Sequence, residues 1–143
     1  MKILNIPGWN YYRSDKYESL NPDKCGKWMH FFKQEDLKIV ESICKSAIEN
    51  NIVECCKHTD KTVIKSIKTG VACFYLECDD IERHRKVITF FLENDLIART
   101  KSGKLYNISF KKDSQTKNGE YGSMFKSDIR LENFIDLNTG EWI

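Results

Sequence analysis

A chain of 143 residues with 41% apolar and 31% charged side chains carries enough apolar mass for a core, which excludes intrinsic disorder and makes a single domain over residues 1–143 the expectation. Its 23 basic and 21 acidic side chains give a net charge of +2, too even a balance for a coat on nucleic acid yet open to a local patch for one phosphate group. Apolar runs such as 71–76 are far shorter than a bilayer is thick, and the first residues lack a secretory apolar core, so a cytoplasmic protein without membrane contact is expected.

Residues 1–24 scatter Pro7, Gly8, Trp9, Tyr11, Tyr12, Tyr17 and Pro22 among polar residues. That pattern reads as an irregular, aromatic-rich arm pinned to the surface of a core formed by residues 25–143. Residues 25–32, entered through Gly26, read as a strand. Leu37, Val40, Ile43, Cys44, Ala47 and Ile48 then recur at the spacing of one helical face. Asn50 and Asn51 provide a stop, because asparagine tolerates the left-handed cap conformation. Residues 52–58 read as a second strand and 71–77 as a central one. Asp79, with Glu82 three residues on, opens another helix whose core face carries Ile81, Ile88, Phe91 and Leu92. Residues 96–100 and 104–112 read as a β-hairpin around Lys101, Ser102 and Gly103. From Gly119 onward only weak strand signals remain, at 128–131 and 134–137, with Trp142 docking the end. The order implies an α+β fold: a curved, largely antiparallel sheet with helices packed on one face and the other free for a ligand.

The six cysteines read as reduced thiols, with adjacent Cys55 and Cys56 on opposite faces of a strand. No CxxC pair or other convergent ligand spacing is present, so neither a metal nor a cofactor is expected. Walker, GxGxxG, GxSxG and HExxH motifs are absent as well.

Chemistry concentrates in three places. Residues 104–121 combine a polar strand face ending in Lys111 with Asp113, Ser114, Gln115 and Thr116, a cation beside several hydrogen-bonding groups that suits a phosphate. Lysines at a hairpin edge also serve to block aggregation. Lys57 shares a face with Val53 and Cys55 and is a candidate base, while His58 is a candidate acid that points to the opposite face. Lys27, Trp28 and His30 form the third group. Trp28 shares a face with His30, and is either core or a platform for a flat ring. Arg83 and Arg85 stand about 200° apart around a helix, too far for one clamp.

The segments 26–29, 57–59, 71–75, 110–113, Thr116 and 119–122, taken in order, resemble the family described as phosphothreonine lyase domains, that of the basophilic leukaemia-expressed protein. The resemblance spans residues 24–122. It implies the fold of the translation initiation factor that binds the messenger RNA cap, with a concave, phosphate-friendly face near Lys57 and Lys111. True phosphothreonine lyases carry a Lys-x-His motif, whereas here Lys57 directly precedes His58 and Lys27 stands three residues before His30. The expectation is therefore a noncatalytic binding domain for a phosphorylated small molecule, nucleotide or RNA end. Lys27, Trp28, Lys57, Lys111, Asp113, Thr116 and Tyr121 are its candidate contacts. One alternative is a phosphate-eliminating lyase using Lys57 or Lys111 as base and His30 or His58 as acid. The other is an interaction or inhibitor module, of bacterial or phage origin, that meets a protein partner through the aromatic arm.

Overall fold

In the computed structural model, which describes residues 1–113 and 129–143, the first two strands arise where the sequence reads as an irregular arm. Lys2–Ile6 (β1) and Trp9–Arg13 (β2) pair antiparallel, from Lys2 opposite Arg13 to Ile6 opposite Trp9. The Pro7-Gly8 pair is thus a hairpin turn and not a marker of irregular chain. Gly8 sits at φ +96°, a position that tight turns reserve for glycine. Only residues 14–24 keep the irregular character, apart from one 3-10 turn at Tyr17–Ser19.

The middle of the chain follows its hydrophobic periodicity. Cys25–Lys33 forms β3 and Leu37–Glu49 forms α1. That helix buries Val40, Ile43, Cys44, Ala47 and Ile48, and it ends at Asn50 with Asn51 at φ +56°. Cys55–Thr59 is β4 and Thr69–Glu77 is β5. Between them lies a helix the sequence reading omits, Lys61–Ile67 (α2), which buries only Ile64 and so carries no stripe to read. Its start is nevertheless well made: the Asp60 carboxylate accepts from the Val63 N–H at 3.0 Å.

Ile81–Glu93 forms α3, and its cap is Asp80, which accepts from the Arg83 N–H at 3.1 Å. Asp79 instead pairs with Lys24 at 3.0 Å. The buried stripe is His84, Val87, Ile88, Phe90 and Phe91. Ile81, expected in the core, is exposed; His84 is the first side chain of the helix to reach it. The Arg83 guanidinium donates to the Asn51 and Ile52 carbonyls at 2.9 and 3.0 Å, tying α3 to the end of α1.

The expected hairpin at 96–112 shrinks to one bridge, Arg99 with Leu105, around Gly103 at φ +86°. Beyond it the backbone turns to the C-terminal segment: Leu105 N–H donates to the Leu137 carbonyl and Phe110 N–H to that of Ile129, each at 2.9 Å. Lys111–Lys112 alone forms a strand, β6, and it pairs with β3. The C-terminal strand signals become the bridges Ser109–Arg130 and Ile135–Trp142. Trp142, expected to dock the end, joins that bridge through its backbone while its side chain stays exposed, with the Arg85 guanidinium 5.7 Å from its ring.

The result is an α+β fold: an open, six-stranded antiparallel sheet in the order β1-β2-β4-β5-β3-β6, with three helices packed against it. Side chains alternate between faces along each strand. Tyr12, Cys56, His58, Ala72, Phe74, Leu76, Trp28 and Phe32 point to the helices and are buried. Phe74 packs on Phe90 and Phe91, and the Cys56 thiol donates to the Cys44 carbonyl on α1. Trp28 stands at the centre of a ring cluster with Phe110, Phe134 and His84 at 5.7–6.3 Å.

All three histidines of the chain serve this buried side as neutral rings. His84 Nδ1 accepts from the Trp28 indole N–H at 3.0 Å, so its Nε2 carries the hydrogen given to the Cys78 carbonyl at 2.9 Å. His58 donates to its neighbour's carbonyl on Thr59 at 2.8 Å and accepts from the Tyr12 hydroxyl at 2.9 Å. His30 Nδ1 lies 2.9 Å from the Leu96 carbonyl and donates to it. Burial holds all three below the ordinary imidazole range, against the hydrogen-bonded carbonyls, which pull the other way. A histidine whose folded pKa is lowered takes up its proton more readily when unfolded. Stability is therefore complete above the unfolded value of about 6.5 and falls as pH drops below it, by at most about 1.4 kcal/mol per pH unit for each histidine. Melting temperatures measured between pH 8 and 5 are expected to stay level at first and then decline below pH 6.5. A flat profile over the whole range would contradict the neutral-ring assignment.

Candidate binding face

The face of the sheet turned away from the helices is built of rows that the strand register sets out directly. One row runs Lys2, Arg13, Cys55, Tyr75, Lys27, Lys111 across all six strands. The next runs Leu4, Tyr11, Lys57, Cys73, Met29, and the third Ile6, Trp9, Thr59. Cations and aromatic rings thus interleave on one surface. Local sequence explains why: β2 reads Trp9, Tyr11, Arg13 at every second position, and β4 and β5 supply Cys55, Lys57, Cys73 and Tyr75 on the same parity.

Each cation of this face is held differently. The Arg13 guanidinium lies over the Tyr17 ring at 4.2 Å and the Tyr11 ring at 4.9 Å. Its Nε is buried and finds no hydrogen-bond partner among the described residues. Burial pushes the neighbouring Cys55 thiol up to about 11, although Arg13 opposes the rise; that thiol is protonated at neutral pH. Lys27 pairs with Asp113 at 3.4 Å, the two side chains being 13% and 28% exposed. Lys57 Nζ stands 3.8 Å from the centroid of the Trp9 ring, 5.4 Å from that of Tyr11 and 5.7 Å from that of Tyr75. Burial lowers its pKa; Cys73 acts the other way and Lys27 adds to the lowering. Lys27 Nζ reaches the Tyr75 ring too, at 5.6 Å.

Beside this surface lies a cavity of about 340 Å³. Tyr11, Tyr75, Cys55 and Asp113 contribute its sheet side, and the irregular segment places Tyr17, Leu20 and Pro22 over it. Its lining is mainly apolar and aromatic with two carboxylates, Glu18 and Asp113, the composition of a small-molecule pocket.

Of the residues singled out from the sequence, Lys27 and Asp113 meet on this face, and Lys57 and Lys111 lie on it three strands apart. Thr116 and Tyr121 lie outside the described residues. Trp28, offered as a stacking platform, is fully buried on the helix side and cannot meet a ligand without unfolding. His30 and His58 are on the helix side as well, across the sheet from Lys57 and Lys111, because strand residues of opposite parity face opposite ways. Arg13, Tyr11, Tyr17 and Tyr75 are not among the candidate contacts read from the sequence, which takes Tyr11 and Tyr17 as anchors of the arm. The alternation Trp9-Tyr11-Arg13 marks the first two, once Pro7-Gly8 is read as a turn. Nothing in the sequence marks Tyr17 as a pocket wall. Among the described residues no cluster of three or more His, Cys, Asp or Glu side chains could hold a metal ion, and no helix is long and apolar enough to cross a membrane. Comparison of the sequence with protein-family models and with curated proteins finds no match in either.

Proposed function

We propose that this protein is a noncatalytic binding domain for a phosphorylated ligand, a nucleotide or an RNA end, held on the open face of the sheet. The observation that supports the reading is that Arg13, Lys27, Lys57 and Lys111 lie on the same open face of the sheet, which also carries the tyrosine-walled cavity. Lysine and arginine supply charge-assisted hydrogen bonds to phosphate oxygens, and tyrosine faces accept a flat base. Lys27 would exchange its weak Asp113 contact for the ligand. The phosphate-eliminating alternative lacks a histidine acid on that face, since His58 and His84 are buried and His30 half-buried on the helix side of the sheet.

Thermal melts in the presence of mono-, di- and cyclic nucleotides and of a short 5′-phosphorylated RNA test the proposal. At a hundredfold excess over Kd a ligand adds about 2.7 kcal/mol, a rise of several degrees for a domain of this size. Lys111→Ala is expected to reduce that rise by at least half, and added salt to weaken it. No rise with any of these ligands would sink the proposal.

A further inference from the structure

The strand β3 is paired along its whole length on one side, with β5, but at only Gly26 and Lys27 on the other, with β6. At the two ends of the β3–β5 ladder the Gln34 N–H donates to the Lys68 carbonyl at 3.1 Å and the Cys78 N–H to the Lys24 carbonyl at 2.8 Å. Antiparallel partners exchange such bonds at every second residue. The even-numbered residues of β3 therefore spend their backbone groups on β5, while Lys27, Met29 and Phe31 turn theirs to the outer edge. Lys27 meets Lys111 there. Among the described residues, no backbone group pairs with Met29 or Phe31 on that side. The chain leading into β6 would continue the ladder opposite them, but it is engaged elsewhere. Phe110 N–H donates to the Ile129 carbonyl and Leu131 N–H to that of Ile108, each at 2.9 Å.

A groove of about 410 Å³ opens along this edge. Beside Met29 and Phe31 it is lined by Leu96, Ala98, Tyr106 and Ile108. The lining is held in place: Tyr106 N–H donates to the Ala98 carbonyl at 3.0 Å, and His30 to that of Leu96 at 2.9 Å. Phe31 and Tyr106 are 71% and 51% exposed, so two large rings are offered to a partner. Asp95 brings a carboxylate to the lining, and it has no ion pair among the described residues. The groove shares no residue with the tyrosine-walled cavity.

We propose that the outer edge of β3 is a docking site for an extended peptide of another protein, which adds a strand beside Met29 and Phe31. A second extended backbone is what matches N–H and C=O groups set out at strand spacing. Its side chains are apolar where they meet Leu96 and Ile108, and basic where one meets Asp95. Main-chain bonds supply the affinity, and the groove with its carboxylate supplies the selection. The site is separate from that of the phosphorylated ligand and does not depend on it.

The probe is a library of random twelve-residue peptides displayed on phage, depleted on the Phe31→Pro variant and then selected on the wild-type chain. Proline removes the outward N–H at this position and leaves the bonds to β5 intact, a change that edge strands tolerate. Enriched sequences are expected to alternate apolar residues and to carry a Lys or Arg. A synthetic peptide of the most enriched sequence is expected to bind Phe31→Pro about tenfold more weakly than Phe31→Ala, which loses only the ring; that is the worth of one hydrogen bond. Asp95→Asn should bind it about threefold more weakly than wild type, as an exposed ion pair allows. Amide hydrogen exchange on the wild-type chain is read alongside. Met29 and Phe31 should exchange faster than His30 and Phe32 in the free protein, and slow by about tenfold or more when the peptide is bound. No enriched peptide, or one that binds Phe31→Pro and Phe31→Ala alike, overturns the inference. So does equal protection of Met29 and His30 in a free monomer, since the chain would then cover its own edge. A dimer in sedimentation that Phe31→Pro turns into monomer would assign the edge to a second copy and overturn it too. Should Phe31→Pro fail to fold, selection proceeds without depletion and the exchange measurement decides.

Discussion

Replacing Trp28 by alanine is expected to destabilise the protein by about 3–5 kcal/mol, a large share of the 5–15 kcal/mol or so that holds a typical domain folded. Trp28 is completely buried at the centre of the sheet's helix side. It touches rings from three other parts of the chain: Phe110 before β6, His84 on α3 and Phe134 near the C-terminus. No neighbour can collapse into the hole without pulling one of these elements off the sheet, so cavity and transfer terms add. The indole N–H matters separately. Trp28→Phe keeps most of the ring but leaves His84 Nδ1 without its donor at 3.0 Å, at a cost of about 1–3 kcal/mol for the stranded acceptor beyond the lost packing. Urea titrations of both variants check the order. A loss below about 1 kcal/mol in the alanine variant would contradict this account of the core, given the usual range for buried aromatic truncation.

Gly26→Ala is the second large effect, and it strikes the candidate binding face. A Cβ at this position would stand 2.6 Å from Phe110 Cζ and 2.8 Å from the Lys111 carbonyl oxygen. Neither can yield cheaply: Phe110 is fully buried against Trp28, and the carbonyl belongs to β6. Among the described residues that strand pairs with β3 at Gly26–Lys112 and Lys27–Lys111. The substitution is therefore expected to cost about 1–3 kcal/mol and to push β6 from the edge of β3. Lys111 and Asp113 would leave the face together, and Lys27 would lose its partner. Gly70→Ala supplies the comparison. Its Cβ would stand 2.7 Å from Phe32 Cζ, a single side-chain ring away from the cavity. Both variants should melt earlier, but only Gly26→Ala should lose ligand binding in the nucleotide melts and in an equilibrium titration below its melting point. Equal affinities in the two would show that β6 takes no part in the face.

What the sequence makes legible is what periodicity can carry. α1, with five buried residues on one stripe, and β5, a run of β-branched and aromatic residues, stand where they are read. α2 is invisible because seven residues with one buried side chain present no period. Residues 1–13 mislead for a local reason: Pro7 and Gly8 signal a break in regular structure, and a hairpin turn is such a break. The expected hairpin of 96–100 with 104–112 is cut short after Tyr106 because Leu105 and Phe110 also find backbone partners in residues 129–137, which local spacing does not encode. The face is legible in part. Lys27, Lys57, Lys111 and Asp113 are recognisable by residue type, but their meeting depends on strand order. Strand parity separates His58 from Lys57 from the sequence alone. Trp28 shows the limit of residue type: a tryptophan in a strand serves core or ligand equally well until its parity is tied to the helices.

The strand order has a consequence for how the molecule comes into being. The row Arg13, Cys55, Tyr75, Lys27, Lys111 does not follow the chain: β3 lies beyond β4 and β5 although it precedes both, and β6 joins from residue 111. Residues 2–77 supply β1 to β5, and Lys111 joins them only with β6. Closing such distant pairings is slow because loop entropy is lost before contacts form. On the proposed reading, a ligand that spans Lys27 and Lys111 binds only after β6 has joined β3.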